Sequence, residues 1–482
     1  MRLDQVIPGA PASARRVEVT DLAYDDRVVR PGTLFFCVPG FTRDGHEFAR
    51  DAIERGAVAL VVERPLGLGV PEIQVPNVRA AMAPAAAAFY GDPTASLQVV
   101  GVTGTNGKTT TAFLIRALLE AAGRRTGLLG TVKSIVGGVE RDVERTTPEA
   151  IDLQRTFRAM LDAGDEACAI EVSSHALELH RADAVHLAAA IFTNLTQDHL
   201  DFHPTMEDYF NAKKRLFIDA KPQLAVVNVD DRYGVRLAEE VGRPVTFALD
   251  NHADYRAESV ETGLSGSRFT VRTPDGPVDL TSPLRGRFNV YNVLGAFAAA
   301  RALGVCAETA AGAIASAGQV PGRFETVDEG QPFALVVDYA HTPDSLENVL
   351  QAARRLTDRR LHVVFGCGGD RDRGKRPLMG EIAQRLADRV IVTSDNPRSE
   401  RPEAIVEEIL AGAGRDAEHT VDRRQAIADA IAKAEPGDVV VIAGKGHEQG
   451  QEFEAGRKIP FDDVTVAREI LRGVPVNAGA PR

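Results

Sequence analysis

Ten consecutive residues, Gly101-Val-Thr-Gly-Thr-Asn-Gly-Lys-Thr-Thr110, carry the plainest chemistry in this chain. An apolar run, Leu97–Val100, precedes them, and an apolar-rich helical pattern, Ala112–Ala122, follows. A short strand, a glycine-rich turn and a helix start form a phosphate-binding loop: glycines let backbone N–H groups wrap an anion, and the helix points its positive end at it. In such a loop Lys108 reaches the β- and γ-phosphates and the Thr109 hydroxyl binds Mg²⁺. The spacing departs from the standard pattern, which wants glycine where Val102 stands; Gly101 comes one residue early. The plain alternative is a glycine turn that only joins strand to helix.

Further polar groups follow apolar runs. Ala167–Val172 holds Glu171 near its end and leads into Ser173-Ser-His175, and Ala188–Thr193 leads into Asn194-Leu-Thr-Gln-Asp-His199. Leu224–Val229 leads into Asp230-Asp231. Ligands bind past the carboxyl ends of strands in open α/β sheets. Glu171 and His199 are oxygen and nitrogen groups of the kind a divalent metal accepts. Asn289 and Asn292, three apart in Gly286–Ala296, share a helix face and suit either a purine or a neighbouring helix. Toward the C-terminus, Asp338-Tyr-Ala-His341, Gly368-Gly-Asp-Arg-Asp-Arg-Gly374, Asp395-Asn-Pro-Arg398 and Gly444-Lys-Gly-His-Glu448 each follow a predicted strand and should share one edge.

The elements that must position these groups are those of an α/β protein. At 482 residues the length suits about three domains. Strands read at 33–38 and 56–62, with helices at 48–55 and 79–90; Gly91-Asp-Pro93 then breaks the chain. Val320–Glu325 marks a second boundary. Beyond it strands read at 333–337, 361–365, 390–393 and 439–442. Helices alternate with them at 343–356, 377–387, 402–411 and 423–434, two of them opened by Pro343 and Pro402 at their first turns. The expected architecture is a small N-terminal α/β domain (1–96), a central P-loop-type, mostly parallel α/β domain (97–323) and a C-terminal Rossmann-like doubly wound domain (324–482).

A net charge of −12 gives no general attraction to nucleic acid or acidic lipid, so anionic substrates must be met by local cations. Four scattered cysteines (37, 168, 306, 367) make no disulfide framework and suit a reducing compartment. No run approaches the ~18 apolar residues of a membrane span, and a cytoplasmic protein is expected.

The motifs TGTNGKTT, EVSSHAL, FTNLTQDHLDFH, AKKRLF, GRFNVYNVLGA, PGRFE, DYAHTPDSL, GGDRDRGKRPLMG, DNPR and GKGHE occur here in the order found in the Mur ligases, which this chain resembles over nearly its whole length. These are ATP-dependent amide-forming enzymes of peptidoglycan assembly. The DNPR and GKGHE pair is most similar to the branch that adds meso-diaminopimelate to UDP-N-acetylmuramoyl-L-alanyl-D-glutamate. The resemblance implies ATP held by Gly104, Thr105, Asn106, Gly107, Lys108, Thr109 and Thr110, with Asn292, Arg323 and Asp338 near the nucleotide. It implies Mg²⁺ on Thr109, Glu171, His199 and Lys213, the last carbamylated by CO₂ in preference to its neighbour Lys214. Asp26, Thr42, Thr146, Thr147, Ser173, Leu179 and Arg181 match positions that hold the UDP-muramoyl dipeptide. Arg371, Asp395, Asn396, Pro397, Arg398, Gly444 and Glu448 match the diaminopimelate pocket. Catalysis would rest on Lys108, Arg181, His199 and Lys213, in a monomer that takes small molecules only, with no nucleic-acid or membrane partner. Two positions depart from the pattern: Asp26 stands where many relatives have serine, and Leu179 where some have glutamine. An acid beside a diphosphate is unfavourable unless it turns away.

The implied chemistry makes sense of the residue types. A guanidinium such as Arg398 can grip a carboxylate through two parallel N–H···O bonds, and Glu448 can pair with an ammonium; together they would separate diaminopimelate from lysine. The nearest rival is folylpolyglutamate synthetase, which shares the phosphate loop but is not expected to carry the DNPR and GKGHE pair.

Overall fold

A computed structural model describes residues 1–263, 265–414 and 417–473. The last nine residues of the expected C-terminal domain, 474–482, lie outside that set. The chain folds as two compact units, the first formed by 1–103, 123–191 and 211–225, the second by 104–122, 192–210 and 226–482.

The first unit begins with a four-stranded parallel sheet of β1 (Asp21–Ala23), β2 (Thr33–Phe36), β3 (Ala57–Val62) and β4 (Glu72–Gln74), in that order. Both its faces are buried, so alternate residues of one strand serve different cores. Leu34 and Phe36 pack with Val78 and Met82 of the helix Val78–Phe89, while Phe35 and Cys37 pack with Ala49 and Ala52 of the helix Ala49–Glu54. This is why the strands read as continuous apolar runs. The same unit carries β5 (Gln98–Thr103), β6 (Thr126–Leu129), β7 (Ser134–Val136), β8 (Val139–Arg141), β9 (Ala167–Glu171) and β10 (Leu187–Phe192) in the order β10-β5-β9-β6-β7-β8. β5 and β6 flank β9 in parallel, and β7 and β8 continue as an antiparallel ribbon.

The second unit holds β11 (Leu224–Asn228), β12 (Val245–Ala248), β13 (Tyr255–Gly263), β14 (Gly266–Thr273) and β15 (Gly276–Ser282), parallel at first and antiparallel from β13 onward. Its last sheet contains β16 (Glu325–Val327), β17 (Ala334–Asp338), β18 (Leu361–Phe365), β19 (Arg389–Val392), β20 (Glu418–His419) and β21 (Val439–Ala443), in the order β16-β17-β21-β18-β19-β20. All but β16 run parallel. Val336, Val363, Val392 and Val441 face one core, under helices 343–354, 375–386 and 402–413. Val337, Val364, Ile391 and Val440 face the other, under helices 423–433 and 463–471. The sheet is therefore doubly wound, as expected. Pro343 and Pro402 occupy the first turns of their helices. Because the strands are parallel, the loops after β17, β18, β19 and β21 gather at one edge, as their order in the sequence predicts.

Candidate active site

The phosphate loop opens the helix Lys108–Ala121, with Gly107 as its N-cap at φ 87°. Gly104 has φ 147°, and a Cβ there would overlap Thr193 Oγ1; a Cβ on Gly107 would overlap Asn292 Oδ1. Both glycines are required by backbone conformation and by the closeness of neighbours. The segment after β10 frames the loop. Asn194 O accepts from Thr105 N at 2.9 Å, Asn194 Oδ1 accepts from Asn106 N at 2.9 Å, and Thr193 Oγ1 donates to Asn106 O at 2.7 Å. Lys108 folds back, its Nζ donating to Gly104 O at 2.9 Å and to Thr105 O at 2.8 Å. Thr109 is 3% exposed, and its Oγ1 accepts from Arg323 Nη2 at 3.0 Å. The Arg323 guanidinium lies 4.4 Å from the centre of the Tyr339 ring, a cation–π arrangement.

Beside the loop is a cavity of about 400 Å³, lined by Asn106, Gly107, Asn194, Asn228, Asn292 and Tyr291 on one side and by Asp344, Asn348, Gln351 and Arg355 on the other. Of the two amides in the sequence pattern, only Asn292 lines it. Asn289 is spent inside its helix, donating to Arg285 O at 2.8 Å and accepting from Asn292 Nδ2 at 3.0 Å. The polar face of helix 343–354, with Asn348 and Gln351, is a nucleotide-sized contribution that the motif reading misses; its signal is amides three apart after a capped proline start.

Asp338, at the end of β17, accepts from Phe324 N at 2.6 Å. Burial pushes its carboxyl up to about 6, against the pull of Arg323. The folded state thus keeps a proton that the unfolded chain releases near the ordinary carboxylate value, so this group's contribution to stability declines as pH rises toward about 6. Asp198, which the sequence reading passes over, is buried, with His199 Nε2 at 3.3 Å, His341 Nε2 at 3.7 Å and Lys375 Nζ at 4.0 Å. Burial would raise its pKa, but His199, then His341 and Lys375, overcome that and hold it well below the ordinary range. His199 itself sits at φ 56°, a strained conformation for a non-glycine residue.

In the first unit Glu171 is 1% exposed; its Oε1 accepts from Thr131 N at 2.7 Å and its Oε2 from Thr131 Oγ1 at 3.0 Å. Thr147 Oγ1 donates to Glu171 O at 2.8 Å, and Thr146 Oγ1 lies 3.1 Å from Thr131 Oγ1. The structure therefore brings Thr146, Thr147 and Glu171 together. Arg181 Nη1 reaches Thr147 O at 3.4 Å, and its Nη2 lies 2.8 Å from Glu149. Glu149, buried, also faces Arg79 and Arg145, at 3.5 and 2.9 Å, a cationic cluster spread across 79, 145 and 181 that no motif announces. Ser173 Oγ accepts from Ala176 N as a helix N-cap, and Leu179 closes that same short helix. Thr42 is exposed. Asp26 is ion-paired with Arg55, which answers how an acid is tolerated at that position. Lys213 is 1% exposed on the helix Met206–Ile218, whereas Lys214 is half-buried. Among the described residues, no three His, Cys, Asp or Glu side chains form a ready-made metal cluster.

At the loop edge of the last sheet, Asp395 and Asn396 are buried, and Gly444 adopts φ 118°. Lys445, fully buried, donates to Asn396 Oδ1 at 2.9 Å, Glu448 Oε2 at 3.1 Å and Asp395 Oδ1 at 3.4 Å. Burial raises the Asp395 carboxyl, but Lys445 and then Arg423 overcome it, and the group lies below its ordinary value. Arg423 forms two bonds with Asp463, at 2.8 and 2.7 Å, and donates to Ser394 O and Ala443 O, pinning the residues just before Asp395 and Gly444. Pro397 precedes Arg398, which sits at φ 50° and bridges to Phe453; Arg398 Nε donates to Glu452 at 3.1 Å and Nη1 to Gly369 O at 2.7 Å. Arg371 is exposed, its Nη1 donating to Asp370 O at 2.9 Å. A Cβ on Gly368 would lie 3.0 Å from Arg398 Nη1 and 3.8 Å from Arg371 Cγ, so the two arginines flank one glycine. The buried Arg376 holds that loop through Glu400, Glu408 and Gly368 O. Carboxylates at 395 and 448 and guanidinium groups at 371 and 398 thus gather at this loop edge, a basin of mixed charge.

Comparison with known proteins gives the family. Three family models match: "Mur ligase family, catalytic domain" over 18–90, "Mur ligase middle domain" over 102–300 and "Mur ligase, glutamate ligase domain" over 322–446. A UDP-N-acetylmuramoyl-L-alanyl-D-glutamate--2,6-diaminopimelate ligase of Geobacillus thermodenitrificans is 49% identical over 466 residues, 94% of this chain and 95% of the relative. The ligase of that name from Streptomyces coelicolor is 48% identical over 97% of this chain and 95% of its own length. A solved structure of a ligase with this name superposes with a TM-score of 0.71 at 34% identity, covering 98% of this chain and 99% of that one. MurF ligase from Thermotoga maritima in complex with ADP shares the fold, with a TM-score of 0.68 at 20% identity over 95% of this chain and 98% of its own.

Proposed function

This chain belongs to the Mur ligase family, and from that premise we infer that it adds meso-diaminopimelate to UDP-N-acetylmuramoyl-L-alanyl-D-glutamate, with cleavage of ATP to ADP and phosphate, in peptidoglycan precursor synthesis. The observation that carries the reading is near-full-length identity of 49% with a ligase of that name. The fold is the α/β, three-domain architecture of the family, which we divide at 1–96, 97–323 and 324–482.

A carboxylate is a poor electrophile because oxide would have to leave. Transfer of the γ-phosphoryl group of ATP to it gives an acyl phosphate and ADP; attack by a neutral amine of diaminopimelate then forms the amide and expels phosphate. Here Lys108 and the backbone N–H groups of 107–110 at the start of its helix would hold the triphosphate, while those of Thr105 and Asn106 bond Asn194. The cavity beside Asn292 and Asn348 would take the adenosine end, and by family correspondence Arg323 and Asp338 would lie near the nucleotide. His341, whose Nδ1 lies 2.8 Å from Tyr339 O and whose Nε2 faces Asp198, is placed to accept a proton at Nε2.

The donor chemistry within each unit suits Mg²⁺: the second carries a buried hydroxyl on Thr109 and the first a buried carboxylate on Glu171, both hard oxygen ligands. By family correspondence, Glu171, His199 and Lys213 as its carbamate would also hold metal, which when bound would offset the phosphate charge. Burial favours Lys213 over Lys214 for carbamylation. Thr146, Thr147 and Arg181, with Asp26, Thr42, Ser173 and Leu179, would meet the UDP-muramoyl dipeptide. Arg371, Asn396, Pro397, Arg398 and Gly444 would meet diaminopimelate, whose distal ammonium would lie by Asp395 and Glu448. ATP and a UDP-linked precursor are cytoplasmic substrates, and we assign the protein to the cytoplasm as a monomer; no helix among the described residues is long and apolar enough to cross a membrane.

Phosphate release tests this directly. It should require both UDP-muramoyl dipeptide and diaminopimelate, with lysine a poor substitute. Equal rates with lysine would overturn the named amino acid, and release with a folate and glutamate would overturn the branch.

A further inference from the structure

We propose that Lys445 is a positioning residue for the amino-acid substrate: its buried ammonium fixes Asn396, Asp395 and Glu448 as one preorganised set that receives a substrate ammonium. The inference rests on reading this basin as the diaminopimelate site.

An ammonium has three N–H donors. All three of Lys445's are committed, to Asn396 Oδ1, Glu448 Oε2 and Asp395 Oδ1, at 2.9, 3.1 and 3.4 Å. It is 0% exposed and has no donor left for a ligand, so it acts through its partners. Asn396 shows the effect most clearly. Its Oδ1 accepts from Lys445 and from Glu452 N, the latter at 3.0 Å, which forces its Nδ2 toward Glu448 Oε2 at 2.7 Å. A flipped amide would set an NH₂ group against both the ammonium and the Glu452 N–H. Lys445 therefore fixes which way Asn396 points, and Asn396 in turn fixes Glu448.

Charge completes the case. One ammonium against two carboxylates leaves a single negative charge, which a substrate ammonium can neutralise. Among the described residues, the other charged or titratable groups facing this set include Arg423 on helix 423–433, already bonded twice to Asp463, His341 and Tyr339 after β17, and the buried Cys367 after β18. Without Lys445, Asp395 and Glu448 lose the one cation bonded to both, and Arg423 and His341 act on Asp395 alone from behind. One of them will then take up a proton more readily, and a protonated pocket loses its attraction for an ammonium. A burial this complete is costly unless fully bonded, so a role in folding alone is the competing explanation. That explanation predicts lost stability without a selective change in amino-acid affinity or pH profile.

The test is phosphate release by the full chain, titrated with diaminopimelate from acid to alkaline pH, for wild type, Lys445→Met, Lys445→Arg and the Lys445→Met/Glu448→Gln double variant. Lys445→Met should raise KM for diaminopimelate roughly 30-fold or more, leave KM for ATP nearly unchanged and move the acidic limb of kcat/KM to higher pH. Adding Glu448→Gln should draw that limb back toward lower pH. Lys445→Arg keeps the charge but not the geometry, so it should raise KM while leaving the limb in place; this holds as a test even where the methionine variant does not fold. A wild-type KM and profile in Lys445→Met, equal loss toward ATP and diaminopimelate, or a shifted limb in Lys445→Arg would each overturn the proposal. Wild-type enzyme without saturable dependence on diaminopimelate would instead overturn the assignment of the basin itself.

Discussion

In the proposed nucleotide site the recognising groups are backbone, and two glycines make room for them, Gly104 against Thr193 and Gly107 against Asn292. Around residues 395–398 and 444–448 they are side chains, and buried cations arrange them: Lys445 among three polar partners, Arg423 behind two strand-end carbonyls, Arg376 beneath the Gly368 loop. The first site must tolerate a polyanion common to many reactions, and N–H groups at a helix start suffice. The second, as the proposed amino-acid site, must tell one diamine from another, and for that it needs fixed charges of both signs at set positions. General recognition is written in conformation, selective recognition in buried charge.

Three substitutions would break or sharpen that contrast. The largest effect is expected for Lys108→Ala, which removes the one charged side chain of the backbone-built loop: kcat should fall by about 10³-fold or more, measured by phosphate release at saturating substrates, with diaminopimelate binding retained. A loss of less than tenfold would mean that the backbone alone does the work. Arg398→Ala should come next. Its effect should be confined to the amino acid: KM for diaminopimelate rising roughly 30-fold or more, with the preference over lysine narrowed, and ATP affinity within about twofold. An unchanged KM for diaminopimelate would remove Arg398 from the pocket. Gly107→Ala should have the smallest effect of the three, raising KM for ATP roughly tenfold through strain of about 1–3 kcal/mol at a positive φ and the crowding of Asn292. Isothermal titration with ATP and with diaminopimelate would show whether that cost stays on the nucleotide side; loss of both equally would blur the contrast.

The same contrast explains what can be read from the sequence. Gly104, Gly107 and Lys108 are legible because a loop whose backbone binds the ligand leaves a fixed local spacing. The edge loops after β17, β18, β19 and β21 are legible too, since parallel strands place every strand-to-helix loop on one side. The buried cations are not: Arg423 meets Asp463 forty positions away, and one of two adjacent arginines at a helix start looks like any surface residue. Lys445 sits inside a recognised motif, yet the motif gives no hint that its ammonium is wholly enclosed. Glu149 with Arg79, Arg145 and Arg181 is hidden for the same reason. In the fold, β13–β15 are missed because their outward faces carry charges such as Glu258, Arg268 and Arg272 that dilute the apolar alternation.

Lys108 held against Gly104 O and Thr105 O means that the cradle is stoppered by its own tail. A visiting anion must outbid two carbonyls before it gains the ammonium, so a small, weakly held species such as inorganic phosphate gains little from lodging there. A nucleotide, anchored at its other end, can force the exchange. The reaction's own by-product is thereby denied an easy seat.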